Sequence, residues 1–450
     1  MIIKRSITKY LMFWKSKANR KPLIIRGARQ VGKTTIIKEF SKTYKYQLIL
    51  NLEKEEDREF FQDSDDVKLI LQYLLLSRKL NDRCLSDTLL FIDEIQEYPK
   101  VISLLRYFYE EISELHVIAA GSLLEFAMRR LQTFPVGRVE FMYLHPINFE
   151  EYLEAVGFSI PLDDLKNIPI NPIAHRVLMN QFNRYATIGG MPEIVQQAAI
   201  DFKVSHLALT YDSLWNSFLS DIEKYARNDT ELKVIKLIMS TAPFLIDKRI
   251  KFQNFGQSNY RSREVGGAFR SIHQAKVIQL IYPSTEMKPP IILDFKKSPK
   301  MQFLDTGILN HVLGIIGQLS VLNDFSNDYR GFLIPHIFIQ DFISIHHITH
   351  FLPSFWVRNK TQSSSELDLI VVVDGKLLPV EIKPGKSGRL RSLHQFIDHC
   401  DHHYGIRVYS GAFDVQKTET PNGKPYVLMN LPYYLGTQLP KYARYFLENY

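Results

Sequence analysis

Continuous apolar runs, separated by stretches of helical periodicity, mark the first third of the chain. The runs occupy residues 22–25, 47–52, 88–92 and 116–120. They lack the alternation of a half-exposed strand, and such runs are typical of strands buried on both faces of a parallel sheet. The pattern therefore predicts an α/β domain with a parallel sheet over residues 1–150.

The hydrophobic pattern changes twice further along the chain. Residues 150–230 look helical with breaks at prolines, and residues 231–300 follow the order helix, helix, ribbon of a winged-helix module. Near the end, two apolar runs flank Asp374-Gly375, which is the strongest short hairpin signal. The parts predicted after residue 150 are a helical lid at 151–230, a winged-helix-like segment at 231–300 and a second α/β domain at 301–450.

Composition places few limits on the function. The 450 residues carry a formal charge of +8, which is compatible with double-stranded DNA as a partner and does not prove it. The two cysteines, Cys84 and Cys400, have no metal-ligand spacing and fit a reducing cytoplasm. Residues 1–20 lack the apolar core of a signal peptide, and no stretch is apolar and long enough to span a membrane. We therefore expect a cytoplasmic protein without a membrane partner.

The first apolar run leads into a motif of the form G-x-x-x-x-G-K-[ST], the phosphate-binding loop pattern. The amides of such a loop and the start of the next helix bind phosphate oxygens. Lys33 is expected to reach the β- and γ-phosphates of ATP, and the Thr34 hydroxyl to bind Mg²⁺. The alternative, a glycine turn with an exposed lysine, is disfavoured by the flanking strand and helix. The predicted nucleotide-binding residues are Gly27, Ala28, Arg29, Gln30, Val31, Gly32, Lys33, Thr34 and Thr35.

A second motif follows about sixty residues later, where the run at 88–92 ends in Asp93 and Glu94. This is the Walker B pattern, and ligands gather at the carboxyl ends of parallel strands. Asp93 is expected to hold the Mg²⁺ shell, and Glu94 to act as general base on the attacking water. An acidic pair that only stabilises a helix N-terminus is the alternative, and the upstream loop disfavours it.

Two further residues are candidates at the same site. Ser122 follows the run at 116–120 and could contact the γ-phosphate or the water, or it could merely cap the next helix. Arg138 could stabilise phosphoryl charge in its own subunit or in a neighbour's. An arginine on a solvated face is the more common situation. Both roles are stated here as expectations.

These motifs occur together in a known family. The chain resembles the AAA+-like P-loop ATPases of bacteria and archaea that carry a C-terminal domain of unknown function. The resemblance covers nearly the whole chain and implies an ATPase core, a helical lid, a winged-helix-like segment and a nuclease-like end, with ATP and Mg²⁺ as cofactors. It leaves the biological role and a homo-oligomeric state open. The matching segments lie at 26–35, 90–96, 120–122, 137–152, 189–193 and 303–307.

The hairpin around Asp374-Gly375 brings charged residues together. A two-residue loop sets a register in which Asp368 lies opposite Glu381, and Glu366 opposite Lys383, all on one face. Like charges that face each other across a sheet are destabilising, so something should compensate. A divalent cation is the natural candidate.

The same residues resemble the core of PD-(D/E)XK nucleases. The resemblance assigns Asp368 and Glu381 as metal ligands, and Lys383 as the residue that orients a water or stabilises phosphorane charge. The chain departs from this pattern at Pro335, which stands where the preceding helix should supply an acid, and Asp341 is too far along to replace it. An active nuclease, an inactive nuclease fold and an inert charged hairpin therefore stay open.

Two functions remain at this stage. The first is an ATPase that drives or gates a C-terminal nuclease-like domain on nucleic acid. The second is a nucleotide-dependent switch whose C-terminal domain is only a binding or assembly surface. Arg261, Arg263 and Arg270 on a predicted helix favour contact with double-stranded DNA, although a solvated packing module is the alternative.

Overall fold

The first sheet is fully parallel and follows the strand order β2-β3-β4-β1-β5 over the described residues. In the computed structural model its strands are β1 (Leu23–Arg26), β2 (Tyr46–Asn51), β3 (Thr88–Asp93), β4 (His116–Gly121) and β5 (Glu140–Tyr143). Every residue of β3 and β4 is buried, as the continuous apolar runs predict. The structure describes residues 2–80, 82–122, 124, 127, 135–222, 226–246, 248–317, 327–359, 365–383, 385 and 388–450.

Helices cover both faces of this sheet. They are α1 (Thr8–Ser16), α2 (Lys33–Ser41), α3 (Glu55–Glu59), α4 (Val67–Ser77) and α5 (Lys100–Glu111). Trp14 and Phe40 belong to the buried cluster on one face, and Leu74 and Phe108 to the cluster on the other. The helix predicted over 53–66 is shorter than expected, because the Asp66 side chain accepts hydrogen bonds from the backbone N–H groups of Lys68 and Leu69 and so starts α4.

Helices dominate the middle of the chain, as predicted. They are α6 (Phe149–Ala155), α7 (Ser159–Lys166), α8 (His175–Ile188), α9 (Pro192–Ile200), α10 (Val204–Ser220), α11 (Asp229–Thr241), α12 (Ser262–Gln274) and α13 (Thr306–Val312). Three short strands follow α12: β6 (Ile278–Ile281), β7 (Pro283–Ser284) and β8 (Lys300–Phe303). Strands β6 and β8 form an antiparallel ribbon, so the order helix, helix, ribbon is present. Its likeness to a winged helix stays a prediction.

A second sheet of mixed direction closes the chain. Its remaining strands are β9 (Ser354–Val357), β10 (Glu366–Val373), β11 (Lys376–Ile382), β12 (Tyr404–Tyr409), β13 (Asp414–Glu419) and β14 (Pro425–Pro432). Over the described residues the order is β13-β14-β12-β11-β10-β9-β7. The helices of this part are α14 (Asn327–Ser344), α15 (Arg391–His399) and α16 (Leu439–Asn449). The predicted α/β class therefore holds at both ends of the chain.

The hairpin register is the predicted one. Val373 lies opposite Lys376 and Leu369 opposite Val380, on either side of the Asp374-Gly375 turn. One cluster of buried side chains runs from Phe149 in α6 to Tyr442 in α16 and crosses residues 230 and 300. The division of residues 151–450 into three parts stays a prediction. None of the helices described here is long and apolar enough to cross a membrane.

Candidate functional site

The glycine-rich loop lies between β1 and α2 and is held in a tight curve. Gly27 approaches the carbonyl of Leu144 so closely that a side chain would not fit there. Gly32 has a φ of 94°, in the left-handed region that favours glycine. Between the glycines, Ala28 and Val31 are buried in the core beside α1 and α2. The backbone is therefore fixed while its amides stand at the carboxyl edge of the sheet.

Lys33 is the first residue of α2 and is buried, with 7% of its surface exposed. Its Nζ donates to the carbonyls of Gly27 at 3.1 Å and Ala28 at 2.8 Å. Burial lowers the pKa of Lys33 to about 8, against the opposing charges of Glu94 and Asp93. A buried ammonium on neutral carbonyls gains stability when an anion arrives, so the loop is suited to phosphate.

The two motifs meet at the carboxyl end of β3. The Thr34 hydroxyl donates to Asp93 Oδ2 at 2.6 Å, and the backbone N–H of Glu94 donates to Asp93 Oδ1 at 3.1 Å. Burial raises the pKa of Asp93, while the Thr34 hydrogen bond lowers it. A hydroxyl and a carboxylate in contact are the oxygen ligands that Mg²⁺ prefers, and these two residues fit such an ion. Thr35 is exposed one residue further into α2.

Glu94 is held by a residue that the sequence analysis missed. Its backbone is left-handed, with a φ of 50°, and its Oε2 accepts a hydrogen bond from Gln96 Nε2 at 2.6 Å. Gln96 Oε1 is buried without a hydrogen-bond partner among the described residues. Its position two residues after the acidic pair was a usable signal. The carboxylate of Glu94 is therefore oriented before any nucleotide binds.

The structure separates Ser122 from Arg138. Ser122 follows β4 directly, next to the point where Gly121 pairs with Arg26 at the carboxyl edge of the sheet. Arg138 precedes β5 and so lies at the amino edge, away from the loop, where its Nε donates to Glu110 at 2.7 Å. The expectation that Arg138 acts at the site of its own subunit is therefore wrong. A role at a neighbour's site stays a prediction.

Arg29 connects the loop to the helical segment. Its guanidinium donates to both carboxylate oxygens of Asp221, which follows α10 and is 192 residues away in sequence. The Asp221 side chain is buried, whereas that of Arg29 is 38% exposed. The ion pair thus joins a partly exposed arginine of the glycine-rich loop to a buried carboxylate that follows α10.

Arg5 holds the other side of the loop. Its Nη1 donates to the Val31 carbonyl at 3.1 Å, and its Nε to Glu151 Oε2 at 2.9 Å. Glu151 Oε1 also accepts from the Ser6 hydroxyl, which contacts His347 Nε2 at 2.8 Å. The arrangement links the nucleotide loop to a residue that follows α14. Sequence spacing gave no sign of this network.

The charged hairpin differs from the prediction in its ion pairs. Asp368 Oδ2 accepts from the backbone N–H of Ile382 at 2.8 Å, just beyond the last backbone pair of the hairpin, Leu369 with Val380. Lys383 Nζ lies 2.5 Å from Glu381 Oε1, whereas Glu366 is paired with Lys300 of β8 at 2.6 Å. Burial raises the pKa of Glu381, and the charge of Asp368 raises it further. The carboxylates are close together, and a lysine lies among them.

The helix that should supply a further acid is α14, and none of its residues from 331 onward, whose side chains the structure describes, supplies one to this cluster. Pro335 of α14 lines a cavity of about 80 Å³ together with Lys300 and Asp368. Asp341 is fully buried elsewhere, where it accepts from Tyr185 Oη at 2.8 Å and from the backbone N–H of Phe149 at 3.2 Å. Within the described ranges, no group of three or more His, Cys, Asp or Glu side chains is arranged to hold a metal ion.

The comparisons with known proteins agree with the first site. Residues 19–153 match the model of a family described as an AAA domain. This part of the chain is therefore similar to an AAA domain, in line with the glycine-rich loop and the parallel sheet described above. Residues 179–319 and 330–434 match two families described only as domains of unknown function (DUF8612 and DUF4143). The nuclease-like identity of the C-terminal part therefore stays a prediction.

The similar solved structures include two proteins at low identity. A Walker-type ATPase of Pyrococcus abyssi is 13% identical with a TM-score of 0.44, and the match covers 69% of this chain and 96% of that one. A variant of RuvB from Thermotoga maritima is 17% identical with a TM-score of 0.27, covering 65% and 91%. Neither TM-score reaches 0.5, so no property of either protein is carried over. No curated protein matches the chain.

Proposed function

We propose that this protein binds ATP with Mg²⁺ at the glycine-rich loop and hydrolyses it. The observation that carries the proposal is the buried ammonium of Lys33, which donates only to carbonyls of its own loop among the described residues. Beside it, Thr34 and Asp93 already share a hydrogen bond. The ammonium, the loop amides and the oxygen ligands of Mg²⁺ together suit the charge of a nucleoside triphosphate.

Each residue has a distinct role in this proposal. The loop amides and Lys33 hold the β- and γ-phosphates, and Thr34 with Asp93 holds Mg²⁺. When bound, Mg²⁺ neutralises charge on the phosphate oxygens. Glu94 takes the proton of the attacking water, and Gln96 keeps its carboxylate in position. Ser122 contacts the γ-phosphate or the water from the end of the next strand.

The nucleotide state is transmitted to the rest of the chain through Arg29. Its exposed guanidinium lies close enough to the loop for phosphate charge to compete with Asp221. Exchange of Arg29 between the lid and the phosphate biases the position of α10, so the protein acts as a nucleotide-dependent switch. Control of a nuclease-like domain on nucleic acid is the second candidate. It is favoured by three exposed arginines at α12, since Arg261 directly precedes the helix and Arg263 and Arg270 lie on it.

Two substitutions test the ATPase assignment. Glu94→Gln keeps the shape and the hydrogen bond to Gln96 but cannot accept a proton, so ATP binding should persist while turnover falls by 10²-fold or more, on the order of a lost general base. Lys33→Ala should abolish tight binding in calorimetry. Glu59→Gln, an exposed acid of α3, is the matched control and should keep full turnover. Unchanged hydrolysis in Glu94→Gln would remove Glu94 as the base, and unchanged ATP affinity in Lys33→Ala would refute the site itself.

A further inference from the structure

Opposite charges meet where the ribbon of β6 and β8 packs against the C-terminal sheet. The carboxylates are Glu366, Asp368 and Glu381, and the cations are Lys300, Lys383 and Arg249. Two of the cations come from the middle of the chain, and the acids come from the hairpin of β10 and β11. The formal charges of this cluster, called here the ion cluster, cancel.

Lys300 lies at the centre of the ion cluster. Its Nζ is 2.6 Å from Glu366 Oε1 and 3.7 Å from Asp368 Oδ1, and 19% of its side chain is exposed. Burial lowers the pKa of Lys300, but the charges of Asp368 and Glu366 outweigh burial and raise it overall. The side chain is therefore an ammonium at neutral pH. A divalent cation on the same oxygens would repel it at close range.

Glu381 contributes a buried carboxylate to the ion cluster, and one of its oxygens has no hydrogen-bond partner among the described residues. The residue is 4% exposed, and its Oε1 contacts Lys383. Its Oε2 is buried and has no hydrogen-bond partner among the described residues. An unpaired buried carboxylate oxygen is costly, and it lies in a hairpin position opposite Asp368. The carboxylates of the ion cluster favour a positive charge, and lysine ammonium groups already supply it.

The divalent metal implied by the nuclease resemblance does not fit these residues. Lys300 occupies the carboxylates, and the neighbouring helix presents Pro335 instead of an acid. We propose that Lys300 takes the place of the metal, so that the ion cluster ties the ribbon to the C-terminal sheet and excludes divalent cations while this lysine is present. The contacts involved join Lys300 of β8 to the hairpin of β10 and β11, and none of them includes a residue of the nucleotide site.

The test uses the full chain without nucleotide and Mn²⁺ as the probe. Wild type and Asp368→Asn should bind Mn²⁺ equally in calorimetry, because the cluster holds none in either protein. Lys300→Met removes the ammonium and keeps the chain length, so it should bind one additional Mn²⁺ per chain and gain thermal stability from it. That gain should disappear in Lys300→Met with Asp368→Asn. Lys296→Met, at an exposed position nearby, should behave as wild type.

Two results would overturn the proposal. The first is a Mn²⁺ site in wild type that Asp368→Asn removes, since the cluster would then hold a metal despite Lys300. The second is a folded Lys300→Met protein that gains no Mn²⁺ site. The comparison of wild type with Asp368→Asn needs no change at Lys300, so it decides the question even where Lys300→Met does not fold. Lys300→Arg retains the cation and should bind no additional Mn²⁺.

Discussion

ATP binding should draw a proton from solution at alkaline pH. In the nucleotide-free protein, burial lowers the pKa of Lys33 to about 8. Phosphate oxygens favour the charged form, so the pKa of Lys33 rises when ATP binds. Above pH 8 the free protein has a largely neutral Lys33 and the complex an ammonium. Binding and protonation are then coupled, and both depend on pH in a known direction.

The size of the effect follows from that pKa. At pH 9 a group with a pKa of about 8 is roughly nine-tenths neutral, so binding should take up about 0.9 proton. At pH 6.5 it is almost fully protonated, and uptake by Lys33 should vanish. The apparent dissociation constant should therefore be about tenfold higher at pH 9 than at pH 7. In the free protein the lowered pKa of Lys33 also affects stability. The free energy of unfolding should rise with pH between about 8 and 10.5, the pKa of lysine in the unfolded chain, because the unfolded chain binds more protons in that range.

Isothermal titration in two buffers of different ionisation enthalpy measures this uptake. ATP is fully ionised at pH 9, so the proton must come to the protein. Lys38→Met, which removes an exposed lysine from the same helix, should leave the uptake unchanged. Tight binding at pH 9 with no proton uptake would show that Lys33 is already charged before ATP arrives, and the argument from burial would fail.

Three further predictions concern the rest of the chain. Asp221→Ala should change the unfolding free energy by less than about 1 kcal/mol, because its partner Arg29 is partly exposed. The same substitution should reduce the ATP-dependent change in hydrogen exchange of α10. Double-stranded DNA should bind weakly with a steep salt dependence, whose slope falls by roughly two to three when Arg261, Arg263 and Arg270 become glutamine. Burial raises the pKa of Asp341 to about 8, so the folded state holds a proton that the unfolded chain releases. Between pH 6 and 7 the unfolding free energy of wild type, measured in urea, should fall by about 1 kcal/mol relative to that of Asp341→Asn. Parallel plots of unfolding free energy against pH for the two proteins would contradict this.

Local patterns predicted the candidate nucleotide site because each of its two motifs is a short continuous stretch of sequence. The segment from Gly27 to Thr34 is continuous in the sequence and runs into the first turn of α2. Asp93 ends β3, whose apolar run predicted a buried strand, and Glu94 follows it directly. The misplacement of Arg138 was avoidable, since it precedes β5 and the amino ends of parallel strands lie opposite the phosphate loop. Strand direction, once predicted, decides which residues can reach the ligand.

Contacts between distant segments could not be predicted in this way. Arg29 and Asp221 are 192 residues apart, and neither belongs to a motif that names the other. Arg5 bonds the loop at Val31, 26 residues away, and Glu151, 146 residues away. These pairs arise from how helices pack on the sheet, and periodicity gives the buried face of a helix without giving its partner. The contacts through which we propose that the nucleotide state is transmitted are therefore ones that sequence reasoning did not find, although Arg29 itself was predicted to bind the nucleotide.

The hairpin shows the same limit inside a correct prediction. The Asp374-Gly375 turn set the register, and the register set Asp368 against Glu381. Two carboxylates in that geometry are stabilised by a positive charge, and electrostatics alone does not distinguish a divalent ion from an ammonium. Lys300 supplies the positive charge in this structure. It belongs to β8, which packs against the hairpin, and its Nζ lies 2.6 Å from Glu366 Oε1. A lysine that is covalently part of the chain has a high local concentration, so a free metal ion must compete with it at every encounter. That competition, more than the loss of one acid at Pro335, is the reason to expect no metal-dependent chemistry at this end of the chain.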